Sequence, residues 1–276
     1  MTQHLFSIAD LRQLMRRLRD PETGCPWDLK QDFQTILPYT LEEVYEVIDA
    51  ADNADYPHLK EELGDLLFQI VFLSQLAEEQ AYFDFSDVVS QITEKLLKRH
   101  PHVFPDGTLQ SVRESDADID IQAITNRWEA MKTIERRARG APALLDDVPM
   151  ALPAMSRAIK LQKRAAKVGF DWDDLTDVVA KVREELGELD DAVLSGKPSA
   201  VEDEFGDLLF TCMNLARHLG VDPERSLRGA NKKFTRRFQE MESQSRDRTL
   251  SACSTQQLAS LWETVKAAER PDTHDD

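Results

Sequence analysis

Cysteine and positive charge are both scarce in this 276-residue sequence. The three cysteines, Cys25, Cys212 and Cys253, are far apart and form no CxxC pair. This excludes a disulfide framework and a zinc knuckle, and it indicates reduced thiols in a cytoplasmic protein. The 34 basic residues are outnumbered by 51 acidic ones, which leaves a net charge of −17. A nucleic-acid polymer is therefore not expected as a partner, because proteins that bind one usually need a basic face.

Long hydrophobic runs and strand patterns are also missing. The longest apolar stretch, 66–76, is interrupted by Gln69, Ser74 and Gln75 and is too short to span a bilayer, so no membrane association is expected. The first twenty residues hold four arginines and no apolar block, which argues against a signal peptide. With only 10 glycines, many helix-favouring residues and no useful alternating pattern, the sequence predicts an all-α protein.

What the sequence does contain is an internal repeat. The heptad ELGDLLF at 62–68 returns as EFGDLLF at 204–210, an offset of 142 residues (204 − 62). Four other blocks recur in the same order with slightly different offsets, as small insertions would produce. They are Glu43/Glu46 with Glu185/Glu188, Gly24–Asp28 with Gly169–Asp173, Lys95–Arg99 with Lys233–Arg237, and Trp128–Arg136 with Trp262–Arg270.

The repeat predicts two tandem duplicated helical-bundle domains. We expect an N-terminal domain at 1–138, a linker at 139–153 and a C-terminal domain at 154–276. The linker is predicted from the glycine and prolines of this region, which interrupt helices. Each domain then holds four or five helices, an ordinary number for its length.

Two acids in each repeated heptad lie where a soluble helix is normally apolar. At about 100° per residue, Glu62 and Asp65 fall within the hydrophobic stripe of their helix. In each copy a second acidic pair lies upstream of the heptad pair, and the first acids of the two pairs are 19 residues apart (62 − 43 and 204 − 185). That interval fits two antiparallel helices joined by a short turn, at 53–57 in the first copy and 195–198 in the second. Thr40 is a plausible N-cap for the earlier helix of the first copy.

The spacing therefore predicts four converging carboxylates in each copy. Two charges ~5 Å apart repel by about 3 kcal/mol at an effective dielectric constant of ~20, so a cation is needed. Oxygen ligands without histidine or cysteine favour Mg²⁺, with Mn²⁺ as a possible substitute, and the absence of ExxH argues against a di-iron site. The alternative is an ordinary solvated face with salt bridges. The two sets are Glu185, Glu188, Glu204 and Asp207, and a second, weaker site of Glu43, Glu46, Glu62 and Asp65.

Gly64 and Gly206 precede the aspartates directly, although a glycine inside a helix costs roughly 1 kcal/mol relative to alanine. Two explanations remain open at this point, tight helix packing and access for a ligand or water.

These motifs, EExxE followed by E[LF]GDLLF, resemble the MazG family of nucleoside triphosphate pyrophosphohydrolases. The likeness runs the whole chain, includes RDPETGCPW at 19–27, VGFDW at 168–172 and NLARHLG at 214–220, and matches the two-domain type. The resemblance implies the all-α NTP pyrophosphatase fold and a Mg²⁺-dependent enzyme. Such an enzyme cleaves NTPs or dNTPs between the α and β phosphates to a monophosphate and pyrophosphate, in nucleotide-pool cleaning. It also implies a homodimer, with a regulatory protein as a possible partner.

The resemblance further assigns roles to individual residues, and it makes the second copy the catalytic one. Glu185, Glu188, Glu204 and Asp207 correspond to the metal ligands of the family. The residues that would contact the nucleotide are Lys181, Asp203, Asn231, Lys233, Arg236, Arg237 and Trp262, the last by stacking on the base. The first copy has Tyr39 in place of Lys181 and Thr93 in place of Asn231, so weak or absent activity is expected there.

Less specific interpretations exist for several of these residues. Lys233, Arg236 and Arg237 could form a solvated basic face, and Trp262 could simply pack in the core. Trp27 and Trp172 are expected to be core residues. For the whole chain, the alternative to an enzyme is a non-catalytic helical module that senses nucleotides or docks a partner protein.

Overall fold

The computed structural model of the chain describes residues 5–113, 124, 127, 128, 130, 131, 133–135, 140, 143–245 and 249–269. All regular secondary structure in these residues is helical, which confirms the predicted all-α class. The chain divides into two compact units, 1–132 and 133–276. Part of the last repeat block, namely Glu129, Lys132, Arg136 and Arg270, lies outside the described residues. No described helix is long and apolar enough to cross a membrane.

Within residues 5–113, the helices of the first unit are α1 (Ile8–Leu18), α2 (Phe33–Asp52), α3 (Tyr56–Glu79) and α4 (Phe85–Arg99). A single 3-10 turn, Asp28–Lys30, lies between α1 and α2. Helices α2 and α3 form the main packed pair, and α1 and α4 also pack on α3. The buried core comprises Met15, Ile36, Val71, Phe72 and Leu76.

Helix α2 begins earlier than the sequence predicts. The Asp32 side chain accepts hydrogen bonds from the backbone N–H groups of Gln34 and Thr35, which satisfies the first turn and starts the helix at Phe33. The N-cap prediction for Thr40 is therefore wrong. Thr40 lies inside α2, and its hydroxyl donates to the carbonyl of Ile36 at 3.2 Å.

The predicted turn of the first unit is confirmed. Helix α2 ends at Asp52 and α3 begins at Tyr56, with Pro57 in its first turn, where the missing N–H of proline has no cost. The connection is so short that the two helices run antiparallel. Glu43 and Glu46 on α2 are thereby carried to the level of Glu62 on α3.

The second unit contains α5 (Ala154–Ala166), α6 (Leu175–Ser195), α7 (Pro198–His218), α8 (Pro223–Gln244) and α9 (Thr255–Ala268). Helices α6 and α7 pack together as α2 and α3 do, α5 packs on α7, and α9 packs on α8. Gly196 ends α6 with a φ of +68°, a left-handed conformation that favours glycine. This confirms the turn predicted at 195–198.

The described part of the predicted linker, 143–153, packs onto α5. Arg164 of α5 donates to the carbonyl of Leu144 at 3.0 Å and forms an ion pair with Asp147. Val148 is buried. These contacts attach the segment to the second unit.

Candidate functional site

Each unit holds a cluster of three glutamates at the interface of its paired helices. In the second unit, α6 supplies Glu185 and Glu188 and α7 supplies Glu204. One carboxylate oxygen from each lies within 4.8 Å of the other two. In the first unit, α2 and α3 bring Glu43, Glu46 and Glu62 together within the same limit. We call these the second cluster and the first cluster.

The aspartates lie at the edge of these clusters. Asp65 and Asp207 are exposed, so the prediction that they lie inside the apolar stripe is wrong for the single chain. Glu62 is buried and Glu204 half-buried, whereas the aspartates three residues later are open to solvent. The charges of both aspartates still influence the pKa values of the neighbouring glutamates. Asp65 contributes to the raised pKa of Glu43, and Asp207 contributes to that of Glu204.

Burial and mutual repulsion raise the pKa of several of these glutamates. For Glu204, burial has the largest effect, followed by the charges of Glu188 and Asp207. For Glu62, burial is again first and the charge of Glu46 second. An upward shift means that the ionised form is disfavoured in the cluster. A divalent cation would remove this penalty, and an all-oxygen donor set suits a hard cation such as Mg²⁺ or Mn²⁺.

Among the residues that the structure describes, each cluster has one basic partner, located one helical turn before a buried glutamate. Lys181 Nζ lies 2.9 Å from Glu185 Oε1 and 2.8 Å from Glu184 Oε1, and these hydrogen bonds, Glu184 first, raise the pKa of Lys181. In the first cluster, His58 Nε2 lies 2.8 Å from Glu62 Oε1. Lys181 was predicted at the site. His58 was not, although its i,i+4 spacing to Glu62 is a usable signal.

Arg236 and Arg237 of α8 form a separate group with Glu269 at the C-terminal end of α9. Glu269 accepts from Arg236 at 2.8 Å and from Arg237 at 2.7 Å, and these bonds lower the pKa of Glu269. Trp262 packs against Phe234, and the Arg237 guanidinium lies 5.7 Å from the indole centroid. The ion pairs of both arginines thus run to α9 and not to the second cluster. Three other predicted substrate-binding residues, Asp203, Asn231 and Lys233, are exposed.

The two heptad glycines do not serve tight packing within a unit. No described atom outside the local helix backbone lies within 4 Å of a Cβ built at Gly64 or Gly206. Of the two explanations left open above, close helix packing is therefore wrong for the single chain. Access for a ligand or water to the neighbouring carboxylates stays a prediction.

A cavity of about 260 Å³ lies between α5 and α7, bordered by the segment 170–172. Its lining includes Trp172, which is partly exposed and not the core residue that was expected. Trp27 is half exposed as well, with its ring edge-on to Tyr39. Two buried amides, Gln162 and Asn214, also line this α5–α7 cavity and were not predicted as site residues. The sequence signal that could have identified Asn214 is that this polar residue aligns with the apolar Phe72 of the first copy.

Both glutamate clusters lie in regions that match one known protein family. The family description "MazG nucleotide pyrophosphohydrolase domain" matches residues 31–104 and again 174–241, so each match contains one glutamate cluster. The chain belongs to this family. The duplication predicted from the repeat is confirmed by the two matches.

Full-length relatives agree with this assignment. The nucleoside triphosphate pyrophosphohydrolase of Escherichia coli K12 is 46% identical over 269 residues, which cover 95% of this chain and 98% of that protein. The nucleoside triphosphate pyrophosphohydrolase/pyrophosphatase MazG of Thermotoga maritima is 40% identical over 264 residues, covering 95% and 96%. The predicted enzyme class, a hydrolase acting on phosphoanhydrides, is confirmed at this level of similarity.

Proposed function

We propose that this MazG-family chain hydrolyses nucleoside and deoxynucleoside triphosphates between the α and β phosphates. The products are the nucleoside monophosphate and pyrophosphate, and the role is removal of unwanted nucleotides from the pool. The observation that carries the proposal is the second cluster. Glu185, Glu188 and Glu204 bring three carboxylate oxygens within 4.8 Å of one another, a donor set for a cation that binds polyphosphate.

The cation is Mg²⁺ in this proposal, with Mn²⁺ as a substitute. Glu185, Glu188 and Glu204 hold it in this proposal, and Asp207, whose charge acts on Glu204, is the fourth ligand. When bound, a divalent cation neutralises phosphate oxygens and lowers the pKa of a coordinated water. Neither histidine nor cysteine, the usual ligands of zinc, belongs to this cluster of described residues.

Basic side chains would contact the phosphates. Lys181 is the best supported of them, because its ion pair with Glu185 already holds its ammonium group at the second cluster. A phosphate oxygen can take the place of Glu184 as its second acceptor. Lys233, Arg236 and Arg237 on α8 provide further positive charge, with Asn231 and Asp203 as additional substrate contacts and Trp262 as a stacking surface.

For the first unit we propose cation binding with weak or absent turnover. The first cluster has the same three glutamates, which supports the binding of a cation. It lacks the lysine of the second cluster, because Tyr39 and Thr93 replace Lys181 and Asn231. His58 occupies a different position, on α3.

We further propose that the chain acts in the cytoplasm as a homodimer, with a regulatory protein as a possible partner. Large apolar side chains that are half exposed on α3 and α7, such as Leu63, Phe205 and Leu209, support a subunit interface.

Incubation of the full-length protein with a nucleoside triphosphate and Mg²⁺ tests the activity. We expect pyrophosphate and monophosphate in equal amounts, and neither when a chelator replaces the cation. Release of orthophosphate with a nucleoside diphosphate would contradict cleavage between the α and β phosphates. The same assay with Mn²⁺ tests the substitute cation, and a panel of ribo- and deoxyribonucleotides tests the breadth of substrates.

A further inference from the structure

In the second unit, a lysine already neutralises one of the glutamates of the second cluster. Lys181 Nζ lies 2.9 Å from Glu185 Oε1 and 2.8 Å from Glu184 Oε1. All three residues belong to α6, and side chains three or four positions apart meet on one face of a helix. The ammonium group of Lys181 therefore connects the second cluster, through Glu185, with a glutamate that is not part of it, Glu184.

The two carboxylates that accept from this ammonium group differ in their environment. The side chain of Glu185 is only 7% exposed, whereas that of Glu184 is 59% exposed. A buried carboxylate needs a partner of opposite charge or a hydrogen-bond donor, but an exposed one is hydrated by water. In the absence of a cation, the fold therefore depends on the bond to Glu185, and Glu184 is a second acceptor near the solvent.

A divalent cation and the ammonium group compete for Glu185. Mg²⁺ binds oxygen ligands at about 2.0–2.1 Å. A cation bound to Glu185 Oε1 would thus lie at most about 5 Å from an ammonium nitrogen placed 2.9 Å from the same oxygen. Two positive charges at this separation repel strongly beside a buried carboxylate, where water screens them little. We therefore expect the cation and the ammonium group to exclude each other at Glu185.

The first unit gives the corresponding glutamate a neutral partner. At the repeat offset of 142, Glu185 corresponds to Glu43, and Lys181 corresponds to Tyr39. The side chain of Gln69, which is buried, forms a hydrogen bond with Glu43. The partner of this glutamate is thus an amide in the first copy and a positively charged ammonium group in the second. A cation that binds the second cluster has to displace a charge at this position.

We propose that Lys181 is an internal counter-ion of the second cluster, which holds Glu185 while the cation is absent and moves toward Glu184 when a divalent cation binds. Lys181 then sets the affinity of the cluster for the free cation. A polyphosphate that carries a cation would satisfy Glu185 and Lys181 together, because it brings both a positive and a negative group. The inference rests on the proposed function in one respect, the assignment of the second cluster as the cation site.

Two other roles of Lys181 have to be separated from this one by experiment. In the first, its ion pairs only stabilise α6, and the cation binds the other oxygen of Glu185 while the lysine stays in place. In the second, the charge of Lys181 repels the cation from a fixed position. Only displacement makes the effect of Glu184 on cation binding depend on Lys181.

Electron paramagnetic resonance of free Mn²⁺ measures cation binding to the full-length protein without any nucleotide. Every sample carries Glu62→Gln, which weakens the first cluster, so that the titration reports the second. Lys181→Met should tighten Mn²⁺ binding about tenfold, because no ammonium group has to be displaced. The control Arg183→Met removes the same charge from an exposed position of α6, and it should change the affinity by less than about twofold.

A double-mutant cycle tests whether the lysine moves. Glu184→Gln removes the acceptor of the displaced ammonium group, so it should weaken Mn²⁺ binding about threefold while Lys181 is present. In combination with Lys181→Met, Glu184→Gln should have almost no further effect. If the two residues act only as fixed charges, Glu184→Gln changes the affinity by the same factor in both backgrounds, because independent effects add.

Four results would overturn the counter-ion. They are unchanged or weaker Mn²⁺ binding by Lys181→Met, an equally large change in Arg183→Met, an equal effect of Glu184→Gln with and without Lys181, and absence of Mn²⁺ binding from every sample. The last result would also remove the cation site of the proposed function.

Circular dichroism checks folding in all samples. If Lys181→Met fails to fold without a cation, Lys181→Gln decides, because it keeps a neutral donor as Gln69 does for Glu43. Since no turnover is measured, absence of pyrophosphate release would contradict the proposed function separately from the counter-ion.

Discussion

At the scale of single residues, Glu204 and Asp207 carry the largest share of the proposed chemistry. Glu204 is the only member of the second cluster contributed by α7, and Asp207 lies one turn further along the same helix. Neither has an ion-pair partner in the described part of the chain. Both charges are therefore available to a cation. Removing either charge should weaken cation binding without breaking an ion pair that stabilises the fold.

Glu204→Gln and Asp207→Asn are expected to reduce turnover by at least ~100-fold, because each removes an anionic ligand of the cation. Pyrophosphate release measures the effect, and circular dichroism should show unchanged helix content. The matched change in the first unit, Glu62→Gln, should leave most of the activity. Full activity in both second-unit variants would exclude the second cluster from the mechanism, and complete loss in Glu62→Gln would show that the first unit is the catalytic one.

Asp171 gives a prediction about pH. Hydrogen bonds from Arg217, the largest cause, lower the pKa of Asp171 to about 2 against a usual 3.8. A carboxyl with a lowered pKa stabilises the fold above its unfolded pKa, and this contribution is lost as the pH falls through the folded pKa. Asp171→Asn should therefore lower the free energy of unfolding by about 2 kcal/mol at pH 7.

Urea unfolding at several pH values checks this prediction. The difference between wild type and Asp171→Asn should shrink between pH 4 and pH 2, as the wild-type carboxyl becomes protonated. A difference that stays constant over this range would mean that the Asp171 charge does not contribute. Asp173→Asn, two residues away in the same segment, serves as the control.

At the scale of elements, the carboxylates between α6 and α7 repel one another, and a bound cation would reduce this repulsion. Burial and neighbouring charges raise the pKa of Glu204, so the ionised cluster opposes close packing of the two helices near neutral pH. A ligand that binds only the folded state raises its melting temperature. We expect saturating Mg²⁺ to raise the melting temperature by about 3 °C or more, as followed by circular dichroism.

Because the carboxylates repel one another, removing one of their charges should raise the melting temperature of the cation-free protein. Without a cation, Glu204→Gln should melt above the wild type, because one of the repelling charges is gone. With Mg²⁺, the variant should gain less than the wild type. A variant that melts lower than the wild type in chelator would show that Glu204 stabilises the helix pair.

The helical elements were largely predictable from the sequence, and the site only in part. The turns at 53–57 and 195–198 followed from proline, glycine and the spacing of the acids, and the structure confirms them. The start of α2 was missed because Asp32 and Thr35 form a capping box two turns before Thr40. Gln162 was missed because burial of a single amide depends on packing between α5 and α7, which no local pattern encodes.

At the scale of the whole molecule, the exposed apolar side chains of α7 predict a dimer. Phe205 and Leu209 are each about half exposed, which is unusual for large apolar residues clustered on one helix. Sedimentation equilibrium should give twice the 31.5 kDa chain mass for the wild type. Phe205→Glu combined with Leu209→Glu should shift it toward the single-chain mass. Leu194→Glu, at the exposed end of α6, is the control; a wild type that sediments as a single chain would contradict the dimer.

The two units differ in their interiors, and this difference predicts which unit unfolds first on heating. The first unit packs Met15 and Phe72 in one apolar cluster and leaves Gln69 Oε1 without a hydrogen-bond partner among the described residues. The second unit keeps a void lined by Gln162 and Asn214, each of which has one such unpaired atom. Voids and unbonded polar atoms each lower the resistance of a core to opening. Thermal inactivation should therefore precede complete melting. A warmed sample would retain the N-terminal half as a folded, protease-resistant remnant after its chemistry has stopped.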